Sequence, residues 1–251
     1  MKDFNIALKE EIVKGIISGY KDYIKVRKNA LKELVVSKGY AYVKGNHIDN
    51  QVVVKTRDLI DSYSKENAGP TWEYVKFCGD SNDKSGMYFI IRNEQYFNAE
   101  QVTLGKNALN KSGKKEKQYL RELVDKNLNV DFEKLQNNLQ REYQLELFNP
   151  EKTDKMSSRP VFNIITYAID AESKQLSAIK IWVPNPHNNQ AILFEDLTPV
   201  LEKLLRDEED YSIPNSDLVI LQNAGDSDEE LVDAQDIFGF EIGSEEEEAS
   251  D

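Results

Sequence analysis

Between Asp3 and about Val35 the apolar residues Leu8, Ile12, Val13, Ile16, Ile17, Tyr20, Tyr23, Ile24, Val26, Leu31, Leu34 and Val35 fall within one half of a helical wheel. That pattern predicts one long amphipathic helix, capped by Asp3 and with Gly15 or Gly19 as its bend point. Gly39 to Lys44 alternates like a short strand, Gly45-Asn46 marks a turn, and a second helix is expected from Asn50 to about Asn67, stopped by Gly69-Pro70. Thr71 to Cys78 and Met87 to Arg92 are rich in aromatic and β-branched residues and read as a hairpin, with a third short strand at Gln95 to Phe97. Helices are expected next at Lys114 to Asn127 and Asp131 to Leu147; Asp131 caps the second, whose stripe is Phe132, Leu135, Leu139, Tyr143 and Leu147.

Residues 149–160, with their prolines and small residues, form the best internal linker. Beyond it lie a second hairpin (Val161 to Ile169, Leu176 to Val183), a strand at Ala191 to Phe194, a helix from Asp196 to Arg206 and a final strand at Leu218 to Gln222. Hairpins with helices grouped between them give an α+β fold, a mostly antiparallel sheet packed with the long N-terminal helix and further helices.

Charge changes this picture at one end only. Of the formal net charge of −13, residues 222–251 carry twelve Asp or Glu and no Lys or Arg, which leaves residues 1–221 at −1. The chain therefore divides into a nearly neutral globular body, 1–221, and an acidic tail, 222–251, expected to be disordered when free. No apolar run is long enough for a bilayer, and Met1-Lys2-Asp3-Phe4 does not open a signal peptide, so no membrane and a cytoplasmic location are expected. Cys78 is the only cysteine, and His47 and His187 are the only histidines. That lowers the expectation of zinc hydrolases and Ser-His or Cys-His nucleophiles; no metal and no cofactor are expected, and carboxylate catalysis stays open.

Several groups carry candidate chemistry. Lys21, Lys25, Lys28 and Lys32, with Lys14, share one helix face near Tyr20, Tyr23, Tyr40 and Tyr42, a mixture that can grip nucleic acid. Glu10/Lys14, Glu11/Lys14 and Asp22/Lys25 equally suit a self-paired solvated face, with Tyr20 and Tyr23 in the core. Arg27 and Lys9 fall among the apolar positions, an anomaly that a phase reset at Gly19 would remove for one of them. Lys106, Lys111, Lys114, Lys115 and Lys117 form a second basic cluster. Gly79 to Gly86 has neither the ending of a phosphate loop nor calcium-loop spacing and reads as a turn. Asp170-Ala-Glu172-Ser-Lys174 has the residue types of a metal-dependent nuclease but sits at a hairpin tip. Glu195-Asp196 reads as helix capping. Trp72, Tyr74, Trp182 and His187 would flank a small-molecule pocket or belong to the core.

The tail interleaves Leu231, Val232, Ile237, Phe238, Phe240 and Ile242 with its acids, which solubility alone does not require. Gln235-Asp236-Ile237-Phe238 resembles the bacterial sliding-clamp binding peptide, one residue shorter than its usual spacing. Gln235, Ile237, Phe238 and Phe240 are therefore the expected partner-binding residues, with docking of the tail on a basic patch of the body and plain solvation as alternatives. The functional expectation is a non-enzymatic interaction or regulatory protein, of phage or mobile-element type, that binds a protein partner through its surface and tail. The alternative is a nucleic-acid-acting enzyme or toxin shielded by the tail.

Overall fold

A computed structural model describes residues 6–68, 72–79, 87–104, 116–137, 139 and 161–223. The linker at 149–160 and the acidic tail from 224 onward lie outside them, as do Tyr143 and Leu147 of the expected helical stripe.

The expected N-terminal helix is α1, Ile6–Glu33. It runs unbroken through both glycines, whose purpose is contact. A Cβ on Gly15 would stand 2.7 Å from the Val52 Cα, and one on Gly19 would strike the Ile48 Cα. Bare backbone at these two positions lets α2, Lys44–Thr56, lie antiparallel against α1. The two anomalous cations have partners without any change of phase. Lys9 pairs with Glu195 at 2.6 Å, and buried Arg27 donates from Nη1 to the Ser37 carbonyl and hydroxyl at 3.1 and 2.9 Å.

Strands β1 (Ser62–Asn67), β2 (Glu73–Cys78) and β3 (Tyr88–Asn93) form one antiparallel meander, and β4 (Phe162–Ile169), β5 (Leu176–Pro184) and β6 (Ala191–Asp196) form another. They join side by side through a single parallel seam, Tyr88↔Phe162 to Asn93↔Tyr167, in a six-stranded sheet of order β1 to β6. The fold is thus α+β with a mostly antiparallel sheet, as the pattern predicts. A parallel pair needs a long crossover, and residues 94–161 supply it. Within it lie α3, Gln118–Val124, and α4, residues 132–137, whose Asp131 cap accepts from the Lys134 amide at 2.9 Å.

Alternation along the strands gives the sheet two apolar faces. Phe77, Phe89, Ile165, Tyr167, Ile179 and Ile181 pack under α1, α2, α5 (Thr198–Asp207) and α6 (Asn215–Asn223). Ile90, Phe162, Ile164 and Trp182 meet Leu120, Leu123 and Val124 of α3 on the other side. Asn127, just after α3, is wholly buried and ties three backbone segments together. Its Oδ1 accepts from the Val161 and Phe162 amides at 2.9 and 2.8 Å, and its Nδ2 donates to the Phe162 and Pro184 carbonyls at 2.8 and 2.9 Å.

Five local expectations are corrected. Gly39 to Lys44 is a 3-10 turn (Lys38–Val43), and among the described residues no strand pairs with it. The second helix begins earlier and stops at Thr56, whose hydroxyl bonds back to Val52 and whose carbonyl accepts from both Leu59 and Ile60. The segment Ser-Tyr-Ser-Lys-Glu-Asn at 62–67 has little apolar character and becomes strand β1 only through its register with β2. Gln95 to Phe97 is likewise a 3-10 turn (Glu94–Tyr96), capped by Asn93. The run Leu218 to Gln222 is helical because Leu218 and Leu221, three apart, bury together against α1; short apolar runs are ambiguous between strand and helix.

Candidate interaction surface

Helix α1 outruns the body that it packs on. Its buried stripe ends at Ala30, the Leu34 amide makes the last helical bond to the Ala30 carbonyl at 3.0 Å, and the chain then leaves the core. Residues 32–36 and 38–40 are exposed: Leu34 at 42%, Val35 at 104%, Val36 at 83% and Tyr40 at 39%. The helical wheel places Leu34 and Val35 in the core, and the structure corrects this. The wheel records which residues would share a face, not where the body beneath that face stops.

This apolar segment is held. The Arg27 guanidinium fixes Ser37 from inside the core, and the Tyr40 amide bonds the Ser37 carbonyl at 3.0 Å. A buried charge is costly unless bonded, so the Arg27 to Ser37 contacts pin the segment as firmly as they satisfy the guanidinium.

The lysine face of α1 is divided by its neighbours. Lys28 pairs with Asp217 of α6 at 2.7 Å, and Lys21 donates to the Asp210 carbonyl at 2.6 Å, so two of the four expected nucleic-acid lysines tie the body together. Lys25 and Lys32 are exposed, and Lys32 adjoins the apolar segment. Lys14 bridges Glu10 and Glu11 as the spacing predicts, whereas Asp22 accepts from Gln51 of α2 at 2.5 Å. Tyr20 and Tyr23 are core residues. The tail residues Gln235, Ile237, Phe238 and Phe240 lie outside the described residues, as do Lys106, Lys111, Lys114, Lys115 and the loop at 80–86.

The remaining candidates do not converge. Asp170 spends its Oδ1 on the Glu172 and Ser173 amides and the Ser173 hydroxyl, an Asx turn that also holds its pKa below the usual carboxylate range through the Ser173 amide first. Asp196 caps α5 by accepting from the Thr198 amide at 2.9 Å, while Glu195 pairs with Lys9. Tyr74 and Trp182 share the apolar cluster under α3, but His187 meets Phe132 elsewhere and Trp72 is exposed. Among the described residues no group of three His, Cys, Asp or Glu is placed to hold a metal ion, and no helix is long and apolar enough to cross a membrane.

One carboxyl stands apart. Asp49 on α2 faces β2, where burial raises its pKa to about 7 against the opposing pull of the Val75 amide at 3.4 Å. The folded state therefore holds this proton more tightly than the unfolded chain. Its contribution is full below about pH 4 and is lost as pH rises through about 7, a swing on the order of a few kcal/mol. Urea midpoints followed from acid to mildly alkaline pH are expected to fall through that window for the wild type. Asp49→Asn, which keeps an acceptor for Val75 without an ionisable group, is expected to remove that component.

No protein-family model matches this chain, and no curated protein or solved structure is significantly similar to it.

Proposed function

We propose that this is a non-enzymatic interaction protein of regulatory type, binding a protein partner through the patch of Leu34, Val35, Val36 and Tyr40 with the acidic tail taking part. The observation that supports this reading is Val35: a fully exposed aliphatic side chain on a segment that a buried arginine holds in place. Apolar side chains on a pinned backbone lose little conformational freedom on binding, so less of their binding energy is spent on ordering them. Lys32 and Lys38 flank them in the chain and Lys25 is exposed further back on α1, so the fitting partner carries apolar groups within an acidic rim. The nucleic-acid alternative draws on the same end of α1 through Lys25 and Lys32.

Affinity capture with the full chain and with the double variant Val35→Asp, Val36→Asp tests the reading, in extract with and without nuclease treatment. Both substitutions are at exposed positions and are expected to leave the thermal midpoint unchanged. A protein retained by the wild type, lost by the variant and bound again when purified supports the proposal. Identical proteins captured by both chains overturn it, and capture abolished by nuclease favours the alternative.

A further inference from the structure

We propose that the occupant of this patch in the resting protein is the chain's own tail, with Leu231 to Ile242 laid over Leu34, Val35, Val36 and Tyr40. The inference rests on the patch being a binding surface and names what covers it.

Charge is the first argument. Of the six Lys or Arg in residues 25–44, Lys25, Lys32 and Lys38 are exposed, against the single acid Glu33, and the twelve acids after residue 222 have no cation among them. Opposite fields of this kind select an orientation and draw the two together. Apolar content is the second. Leu231, Val232, Ile237, Phe238, Phe240 and Ile242 offer the aliphatic and aromatic anchors that an exposed Leu-Val-Val segment lacks.

Reach is the third. α6 lies antiparallel to α1, since Asp217 at its start meets Lys28 while Gln222 at its end bonds the Glu172 carbonyl, two residues from the Lys174 carbonyl that Tyr20 bonds. The chain therefore leaves α6 beside the middle of α1. From Tyr20 to Val35 along a helix is about 23 Å. An extended chain covers about 26 Å from Asn223 to Leu231 and about 46 Å to Ile237, so Leu231 arrives at the patch and Ile237 has slack to settle on it. Tethering at such lengths supplies a local concentration in the millimolar range, so even weak contacts keep the tail in place. A partner then has to displace the tail, and high salt weakens the tail's hold.

A nitroxide on Ser244→Cys of the full chain tests this, since Cys78 is buried and leaves the new thiol as the reactive one. The expected result is that the amide signals of Val35, Val36 and Tyr40 lose most of their intensity relative to the reduced label, equally at all protein concentrations. Phe238→Ala with Phe240→Ala in the same chain is expected to restore them. Unaffected signals at these residues overturn the proposal, as does broadening that fades on dilution, which would make a second copy the occupant. The failure is distinguishable from that of the patch itself. If Val35→Asp with Val36→Asp still loses a captured partner while the nitroxide leaves the patch untouched, the patch binds proteins and only the tail assignment falls.

Discussion

Asn127→Asp is expected to destabilise the fold by on the order of 3–5 kcal/mol at neutral pH, more than any surface substitution, because it keeps the shape and reverses half the hydrogen bonding. The Asn127 amide group donates to two carbonyls, of Phe162 and Pro184, and its oxygen accepts from two amides. Aspartate keeps the acceptor and sets a second carboxylate oxygen against the two carbonyls, in a fully buried site. The group escapes only by taking up a proton, which returns one donor. The deficit against the wild type at the same pH is therefore expected to shrink as pH falls, read as urea midpoints. No deficit would show that the four bonds carry no net stability, and a constant one that the charge of the buried carboxylate is not the cause.

Gly19→Ala is the second large effect, and its sign is the test. Alanine inside a helix is ordinarily favoured over glycine by about 1 kcal/mol. At position 19 the added methyl would stand 2.6 Å from the His47 carbonyl oxygen and 2.8 Å from the Ile48 amide, which are backbone atoms of α2 and cannot rotate aside. α1 and α2 have to separate along their buried faces, at a cost of about 1–3 kcal/mol or more. Gly45→Ala is the control, because nothing lies within 4 Å of its Cβ position. Thermal unfolding is expected to show a lower midpoint for the first and an unchanged or higher one for the second. Equal midpoints would refute the close-approach account.

How much of this is legible in the sequence depends on the range of the interactions involved. The buried stripe from Leu8 to Ile24, the two strands of the second hairpin, and α5 with its Asp196 cap all come from local periodicity and capping. The lysine face shows the limit. Its intrahelical pairs Glu10/Lys14 and Glu11/Lys14 form, but Lys21, Lys28 and Asp22 are claimed by Asp210, Asp217 and Gln51, up to 189 residues away. Arg27 is the instructive case. The wheel marks it as out of place, and the partner that makes its position sensible, Ser37, lies beyond the helix end where the wheel no longer applies.

The sequence by itself determined the α+β class, the mostly antiparallel sheet, the long first helix and the contrast in charge between residues 1–221 and 222–251, since these follow from spacing and composition along the chain. Tertiary structure decided the parallel seam of β3 with β4, the helical state of Leu218 to Gln222, the four-bond role of Asn127 and the exposure of Val35. Each of these depends on which distant backbone lies alongside, or fails to lie alongside, the residue in question, and burial is a property of that neighbour as much as of the side chain.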